Sequence, residues 1–365
     1  MEERNNLIDI SKAIGIISVI IGHCCVALPI INFPINLFVY TYHIMIFFFV
    51  SGFCYNEKKY GDHLGNYVYK KISKLVALFF LYNLFFVLFH NLLVNLSLIS
   101  APAYSKTDMF IWIVNGFVME TNESLLGAFW FLPMFLFSNL LFGIEFSFSS
   151  TICKKNKNKS TKYFIDFLFI LLCIYIAYFA HSRGLFLYYH IQTSFLAIPV
   201  IYFGWLVKKY YRYIDKFINV GGLLISFLLI CIFIRNLNFR VELSQNIITN
   251  IFGFYFLSIT GIYFCLSFSK LLLKIRWVNK SLVFIGKNSF HFMALHFLCF
   301  KLIDFNVSIN TIDVLENRMI FPCTYQFGLV YVVLSILAIS LFIMAKDALN
   351  KLFLLRKEQY FMKNH

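Results

Sequence analysis

Lys12 and His23 stand eleven residues apart in the first apolar stretch of the chain. In a helix turning 100° per residue, that separation is three turns plus about 20°. Both side chains then lie on one face, with His23 roughly 16 Å further along the axis. Imidazole, with an unperturbed pKa of about 6.5, takes and returns protons at neutral pH. An ionisable side chain carried toward the middle of a bilayer is costly and by default marks a functional site. The pair can therefore hold the two ends of one extended ligand, a cation at one end and a general base at the other. The same spacing also fits a surface-anchoring lysine followed by a packed histidine.

A second histidine, His43, opens the run YHIMIFFFVSGF, whose Ser51-Gly52 step lets another helix approach closely. Lys70, Lys71 and Lys74 follow at the start of the third apolar run. Clustered ammonium groups suit the phosphates of an anionic nucleotide. They equally satisfy the rule that positive charge stays on the cytoplasmic side.

Such residues need elements to position them, and the composition supplies membrane helices. Of 365 residues 60% are hydrophobic and 13% charged, against about 25% charged in soluble domains; a water-soluble fold of this size could not cover itself with so little charge. Apolar runs of spanning length recur at roughly 12–30, 36–55, 75–96, 125–147, 163–180, 191–207, 217–234, 247–268, 281–303 and 326–345. They predict an all-α polytopic bundle of about ten transmembrane helices, a single domain over 1–365 with no extra soluble domain. The stretch 108–119 is apolar but too short to span, and is expected to lie at the interface or re-enter.

With the N-terminus in the cytoplasm, 26 of the 32 Lys and Arg residues fall on the inner side and 6 outside: Lys106, Arg183, Arg235, Arg240, Lys301 and Arg318. That asymmetry predicts that both termini are cytoplasmic. It also explains the net charge of +15, so the basic run KKNKNKSTK at 154–162 is read as topogenic, and no nucleic acid is expected as a partner. Nine cysteines are scattered singly apart from Cys24 and Cys25. They offer neither a disulfide framework nor a zinc spacing, and no metal is expected. There is no internal repeat, Gly-rich phosphate loop or matched pair of broken helices of the transporter kind.

The segments RNNLIDISKAIGIISVIIGH, YHIMIFFFVSGF, KISK, WFLPMFLF, YFGW and IGKNSFHFMALH, in this order over most of the chain, resemble the acyltransferase 3 family of integral-membrane acyltransferases. Within it the nearest likeness is to sugar O-acetylases of the fucose O-acetylase kind. The resemblance implies ten or so helices in a bacterial plasma or inner membrane. It implies acetyl-CoA, or another acyl-CoA, as cytoplasmic donor substrate with no permanently bound cofactor, and an extracytoplasmic glycan or lipid-linked saccharide as acceptor. The family's basic residue, ten intervening positions and histidine fall on Lys12 and His23, which are expected to be catalytic. Its Arg-X-X-Arg element falls on Lys71 and Lys74, with Lys70 beside them as the donor-binding cluster. Lysine keeps the charge there but loses the fork with which guanidinium grips phosphate. Trp130 and His296 match further family positions. The hydrolase-like domain of larger members is not expected, and no Gly-X-Ser-X-Gly element occurs.

On this reading His23 is the general base that takes the proton of an attacking sugar hydroxyl, with an acetyl-histidine intermediate as the other route. Lys12 meets a CoA phosphate or the oxyanion. Outside, His181, Arg183, Tyr188, Tyr189 and His190 form the densest polar and aromatic group, suited to stacking on a sugar or to an interfacial aromatic belt. The alternative is a transporter or flippase for a polyprenyl-linked sugar, which shares the intramembrane polar residues and basic inner loops but need not bind CoA. Membrane lipids are partners under either reading.

Overall fold

The structure, a computed structural model, describes residues 6–24, 27–28, 33–61, 63–237, 239–307 and 328–363. The chain opens with α1 (Asn6–Gly22), the two-residue strands β1 (Ala27–Leu28) and β2 (Phe33–Pro34), α2 (Ile35–Tyr40), α3 (Met45–Phe53) and the single turn α4 (Glu57–Tyr60). It continues through α5 (Leu64–Asn95), α6 (Lys106–Asn115), α7 (Phe131–Asn156), α8 (Lys159–Ser182), α9 (Ile191–Lys209) and the short α10 (Tyr211–Ile214). It closes with α11 (Val220–Leu237), the hairpin β3 (Val241–Glu242) and β4 (Ile247–Ile248), then α12 (Ile251–Leu272), α13 (Arg276–Lys287), α14 (Ser289–Val307) and α15 (Gly328–Lys363). Among the described residues seven helices are long and apolar enough to cross a membrane, or up to nine if each of two bent pairs is one span. The all-α polytopic bundle expected from hydropathy is therefore present. Its outer helices turn leucine and phenylalanine outward, for example Leu81, Leu88, Phe164 and Leu224. Such a belt suits lipid and not water.

Inside, α3 and α9 pack backbone to backbone, and so do α1 and α13. A methyl group on Gly52 of α3 would collide with the Ile201 carbonyl oxygen of α9, and one on Gly204 of α9 with the Phe49 carbonyl oxygen of α3. The glycines of the VSGF and YFGW segments thus face each other, as small residues do where membrane helices meet. Gly286 of α13 meets the Asp9 carbonyl oxygen of α1 in the same way. Hydroxyl pairs add polar ties to α1: Ser11 Oγ lies 2.9 Å from Ser269 Oγ on α12, and Ser18 Oγ lies 3.1 Å from the Tyr42 hydroxyl.

Several expected spans are interrupted where polar side chains satisfy the backbone. The first helix ends at Gly22, so His23 stands in the turn just beyond it, its backbone N–H directed at the Val19 and Ile20 carbonyls at 3.2 Å each. The run expected over 36–55 breaks between α2 and α3. There Thr41 Oγ1 donates to the Phe38 carbonyl (2.7 Å) and His43 Nδ1 to the Val39 carbonyl (3.0 Å), beside the backbone N–H groups that these carbonyls also accept. The run 281–303 is not one straight span either, because α13 and α14 meet at 86°. Asn288 caps the break: its backbone N–H and its side-chain Nδ2 both donate to the Phe284 carbonyl, at 3.2 and 3.0 Å. Similarly, Tyr211–Phe217 meets Val220–Arg235 at 76°.

The short stretch 108–119 does form a helix too brief to span. α6 is started by a capping box between Ser105 and Asp108, exposes Phe110, Ile111 and Val114, and is held to α5 by Asn83 Nδ2 donating to the Trp112 carbonyl at 2.7 Å. The loop expected near 304–325 lies, from residue 308 on, outside the described residues.

Candidate active site

A cavity of about 500 Å³ runs beside α1 and is lined by residues from both halves of the chain, within the size range of small-molecule sites. One end is cationic. Lys12, Lys70, Lys71, Lys74 and Lys287 all line it. Lys12 sits on α1, the next three on the first turns of α5, and Lys287 on α13, which lies against α1 through Gly286.

Each of these lysines is held differently. Lys12 Nζ pairs with Asp9 Oδ1 at 2.7 Å, one turn back on the same helix, and the aspartate side chain is only 4% exposed. The ammonium is thus aimed by a buried carboxylate. Lys71 Nζ donates to Ser51 Oγ (2.7 Å) and Asn139 Oδ1 (2.8 Å), and lies 5.4 Å from the ring centres of both Tyr67 and Phe135. Asn139 Oδ1 also accepts from Ser51 Oγ and from the Tyr67 hydroxyl, while its Nδ2 donates to the Phe135 carbonyl at 2.7 Å. This network holds the Lys71 amine through neutral oxygens. Lys70 Nζ donates to the Tyr60 hydroxyl at 3.3 Å, and Lys74 is exposed. Cys54 also faces this end. Its surface is exposed, yet desolvation by the surrounding protein pushes its thiol pKa above the ordinary range while Lys12, Lys208 and Lys71 pull it back.

Beyond the lysines come His23 and His43, both in the cavity lining. His23 lies 5.3 Å, ring centre to ring centre, from His296, and 4.8 Å from Phe297 in an edge-on contact. His43 stacks on Tyr40 at 4.8 Å and lies within electrostatic range of His23. The Tyr40 hydroxyl in turn donates to the Gly22 carbonyl at 3.0 Å, tying α2 to the end of α1. A carbonyl can only accept, so Nδ1 carries the proton in His43, bonded to Val39, and in His296, bonded to Met293 at 2.8 Å. In the neutral rings Nε2 is then the basic nitrogen. For His296 that nitrogen is buried and without a hydrogen-bond partner among the described residues. Three imidazoles thus lie together, those of His23 and His43 in the cavity lining, from the turns that end α1 and α2, and that of His296 on α14 behind His23.

The other end has a different chemistry. Trp130 at the start of α7, Tyr40, and the hairpin residues Glu242 and Ser244 line it. The hairpin packs against α2, which places it at the His23 end of α1. Glu242 is the one carboxylate among the described lining residues. Burial raises its pKa, against the pull of its hydrogen bonds to Ser244 and of nearby Arg240.

Of the residues singled out from sequence, Lys12, His23, His43, Lys70, Lys71, Lys74 and Trp130 come together around this cavity, and His296 backs it through His23. His181, Arg183 and His190 do not line it. His181 Nδ1 donates to the Asn246 carbonyl at 3.1 Å and so holds the hairpin, Arg183 lies over Phe179, and His190 contacts the Trp130 ring at 4.9 Å. Asp9, Asn139, Lys287, Glu242 and Ser244 escaped the sequence reading. For Asn139 a signal existed, since it is a polar residue inside an otherwise apolar run, where an unpaired polar group is costly; for Asp9 the signal was its spacing three residues before Lys12, which suits an ion pair along a helix. For Glu242 and Ser244 there was none, since any polar pair in an outer loop looks alike. No group of His, Cys, Asp and Glu suited to a metal ion occurs among the described residues.

A family model described as an acyltransferase domain, that of the acyltransferase 3 family, matches residues 5–346. The chain belongs to this family. It is a membrane acyltransferase, and the matched span covers every residue that lines the cavity. No curated protein and no solved structure gives a significant match.

Proposed function

We propose that this acyltransferase carries an acetyl group from cytoplasmic acetyl-CoA to a hydroxyl of an extracytoplasmic or lipid-linked cell-surface sugar. The observation that carries the reading is the polarity of the cavity: five lysines at one end, histidines in the middle, and an aromatic and carboxylate-bearing end beyond. An anionic nucleotide thioester fits the first end, with Lys71 and Lys74 meeting phosphate and Lys12 behind them. Its pantetheine arm is long and slender enough to reach the histidines. The acceptor hydroxyl enters from the opposite side.

His23 then acts as general base. It takes the hydroxyl proton as the oxygen bonds to the thioester carbonyl carbon, and returns that proton to the CoA sulfur as the C–S bond breaks. The donor needs no resident cofactor. Ten crossings, with α1 as one of them and the bent pairs α10–α11 and α13–α14 as two more, leave both termini in the cytoplasm of a cell membrane. That orientation follows the inner excess of Lys and Arg and turns the lysine end of the cavity inward.

Vesicles of defined sidedness test the whole reading. Acetyl-CoA supplied on the cytoplasmic face should support acetylation of a sugar on the opposite face, and acetyl-CoA supplied only outside should not. Equal transfer from either face, or no saturable acetyl-CoA binding by the purified chain, would sink it.

A further inference from the structure

Glu242 and Ser244 stand where α11 and α12 are joined, and the joining hairpin is built to hold them still. Glu242 pairs with Ile247 and Val241 with Ile248. Arg240 and Thr249 close the open end through Arg240 N–H to Thr249 Oγ1 (2.9 Å) and Thr249 N–H to the Arg240 carbonyl (3.1 Å). At the tip, Asn246 adopts a left-handed backbone (φ 54°), accepts from His181 Nδ1 and donates to the Leu185 carbonyl at 3.3 Å. A loop without a task need not be fastened at both ends.

Within the hairpin Ser244 Oγ donates to Glu242 Oε1 at 2.5 Å. This fixes the carboxylate rotamer in a half-buried position on the cavity wall. A carboxylate accepts hydrogen bonds only, so its partner in the cavity must donate them. It also repels anions, and it sits at the end away from the lysines. A neutral polyol answers both conditions, and the Trp130 ring nearby offers the flat apolar face on which a pyranose stacks.

We infer that Glu242, held by Ser244, binds two neighbouring hydroxyl groups of a neutral sugar acceptor, turns the reacting hydroxyl toward His23 and discriminates against acidic sugars. This rests on the sugar O-acetylation reading above.

The test uses the full-length chain in detergent or nanodiscs, radiolabelled acetyl-CoA, and methyl glycosides as probes: neutral hexosides and 6-deoxyhexosides, their monodeoxy analogues, and a uronic acid glycoside. Wild type should favour neutral glycosides with a vicinal diol over the monodeoxy and the acidic ones. Glu242→Gln keeps the shape and removes the charge. It should raise KM for the favoured glycoside about ten- to a hundredfold, as for a lost charge-assisted hydrogen bond, and narrow the discrimination against the uronic acid. Acetyl-CoA affinity should not change. Ser244→Ala should raise the same KM less, because the carboxylate stays but is no longer held. An unchanged KM and unchanged discrimination in Glu242→Gln, or a fall in kcat alone, overturns this inference while leaving O-acetylation standing. A wild-type chain that binds acetyl-CoA but acetylates none of the glycosides overturns the sugar reading and this inference together.

Discussion

Replacing His23 by alanine is the perturbation on which the mechanism stands most directly. Loss of a positioned acid–base group lowers a rate by about 10²- to 10⁴-fold, roughly 3 to 5 kcal/mol of barrier. The same substitution also removes a half-buried ring from Phe297 and His296, a loss of packing of about 1 to 2 kcal/mol. These effects separate cleanly, because packing changes the amount of folded protein and not the turnover of each folded molecule. Donor binding gives a third readout. Lys12 lies about 16 Å along the helix axis from the end that carries His23, and the α5 lysines sit at the same end as Lys12, so acetyl-CoA affinity should change by less than about threefold.

The assay is acetyl transfer per folded molecule, with folded protein quantified by a thermal unfolding scan and acetyl-CoA binding measured in parallel by calorimetry. Because the truncated side chain opens onto an existing cavity of about 500 Å³, free imidazole has room to enter and should restore part of the rate. Turnover of His23→Ala within tenfold of wild type per folded molecule would refute the assignment, whatever happens to expression.

Three further outcomes follow from the same geometry. Lys71→Ala combined with Lys74→Ala should weaken acetyl-CoA binding by about ten- to a hundredfold through lost charge-assisted bonds to phosphate, with membrane insertion intact; an unchanged Kd by calorimetry removes both from the donor site. Cys54, whose surface is exposed, should be alkylated by a maleimide at a rate that keeps rising above the usual thiol pKa, since desolvation raises its pKa and only the thiolate reacts, and CoA should protect it; mass-spectrometric labelling that is indifferent to CoA would place the nucleotide elsewhere. Lys162 pairs with Asp166 at 2.7 Å and lies over the Phe146 ring, next to buried Glu145, so Lys162→Ala leaves a buried carboxylate unpaired and should cost about 3 to 5 kcal/mol of stability; a thermal scan with an unchanged midpoint would show that the pair contributes little.

Hydropathy made the bundle legible because every apolar run long enough to cross a bilayer has few other uses. Helix phase made the Lys12–His23 face legible for a similar reason: eleven residues return to nearly the same side of a helix whatever surrounds it. What a running average of hydropathy conceals is the place where a span stops being straight. Asn288 and Thr41 each sit inside an apolar run, and each bonds to a carbonyl three or four residues back. A few polar side chains in a run of apolar ones scarcely move the average, yet these mark where the helix breaks. Partnerships across the fold were equally hidden, since nothing local links Lys71 to Asn139, 68 residues away, or His181 to Asn246.

The break at Asn288 matters to the site because α13 and α14, on either side of it, reach different parts of the cavity wall. α13 lies on α1 at the level of Asp9, through Gly286, and presents Lys287 to the cationic end. After the 86° turn, α14 carries His296 to His23, in the turn that ends α1 and fourteen residues beyond Asp9. Chain direction therefore changes between the part at the lysine end and the part that lies against His23. A substitution that straightened this joint would separate Lys287 from the lysine cluster or His296 from His23, and both ends of the reaction would register it.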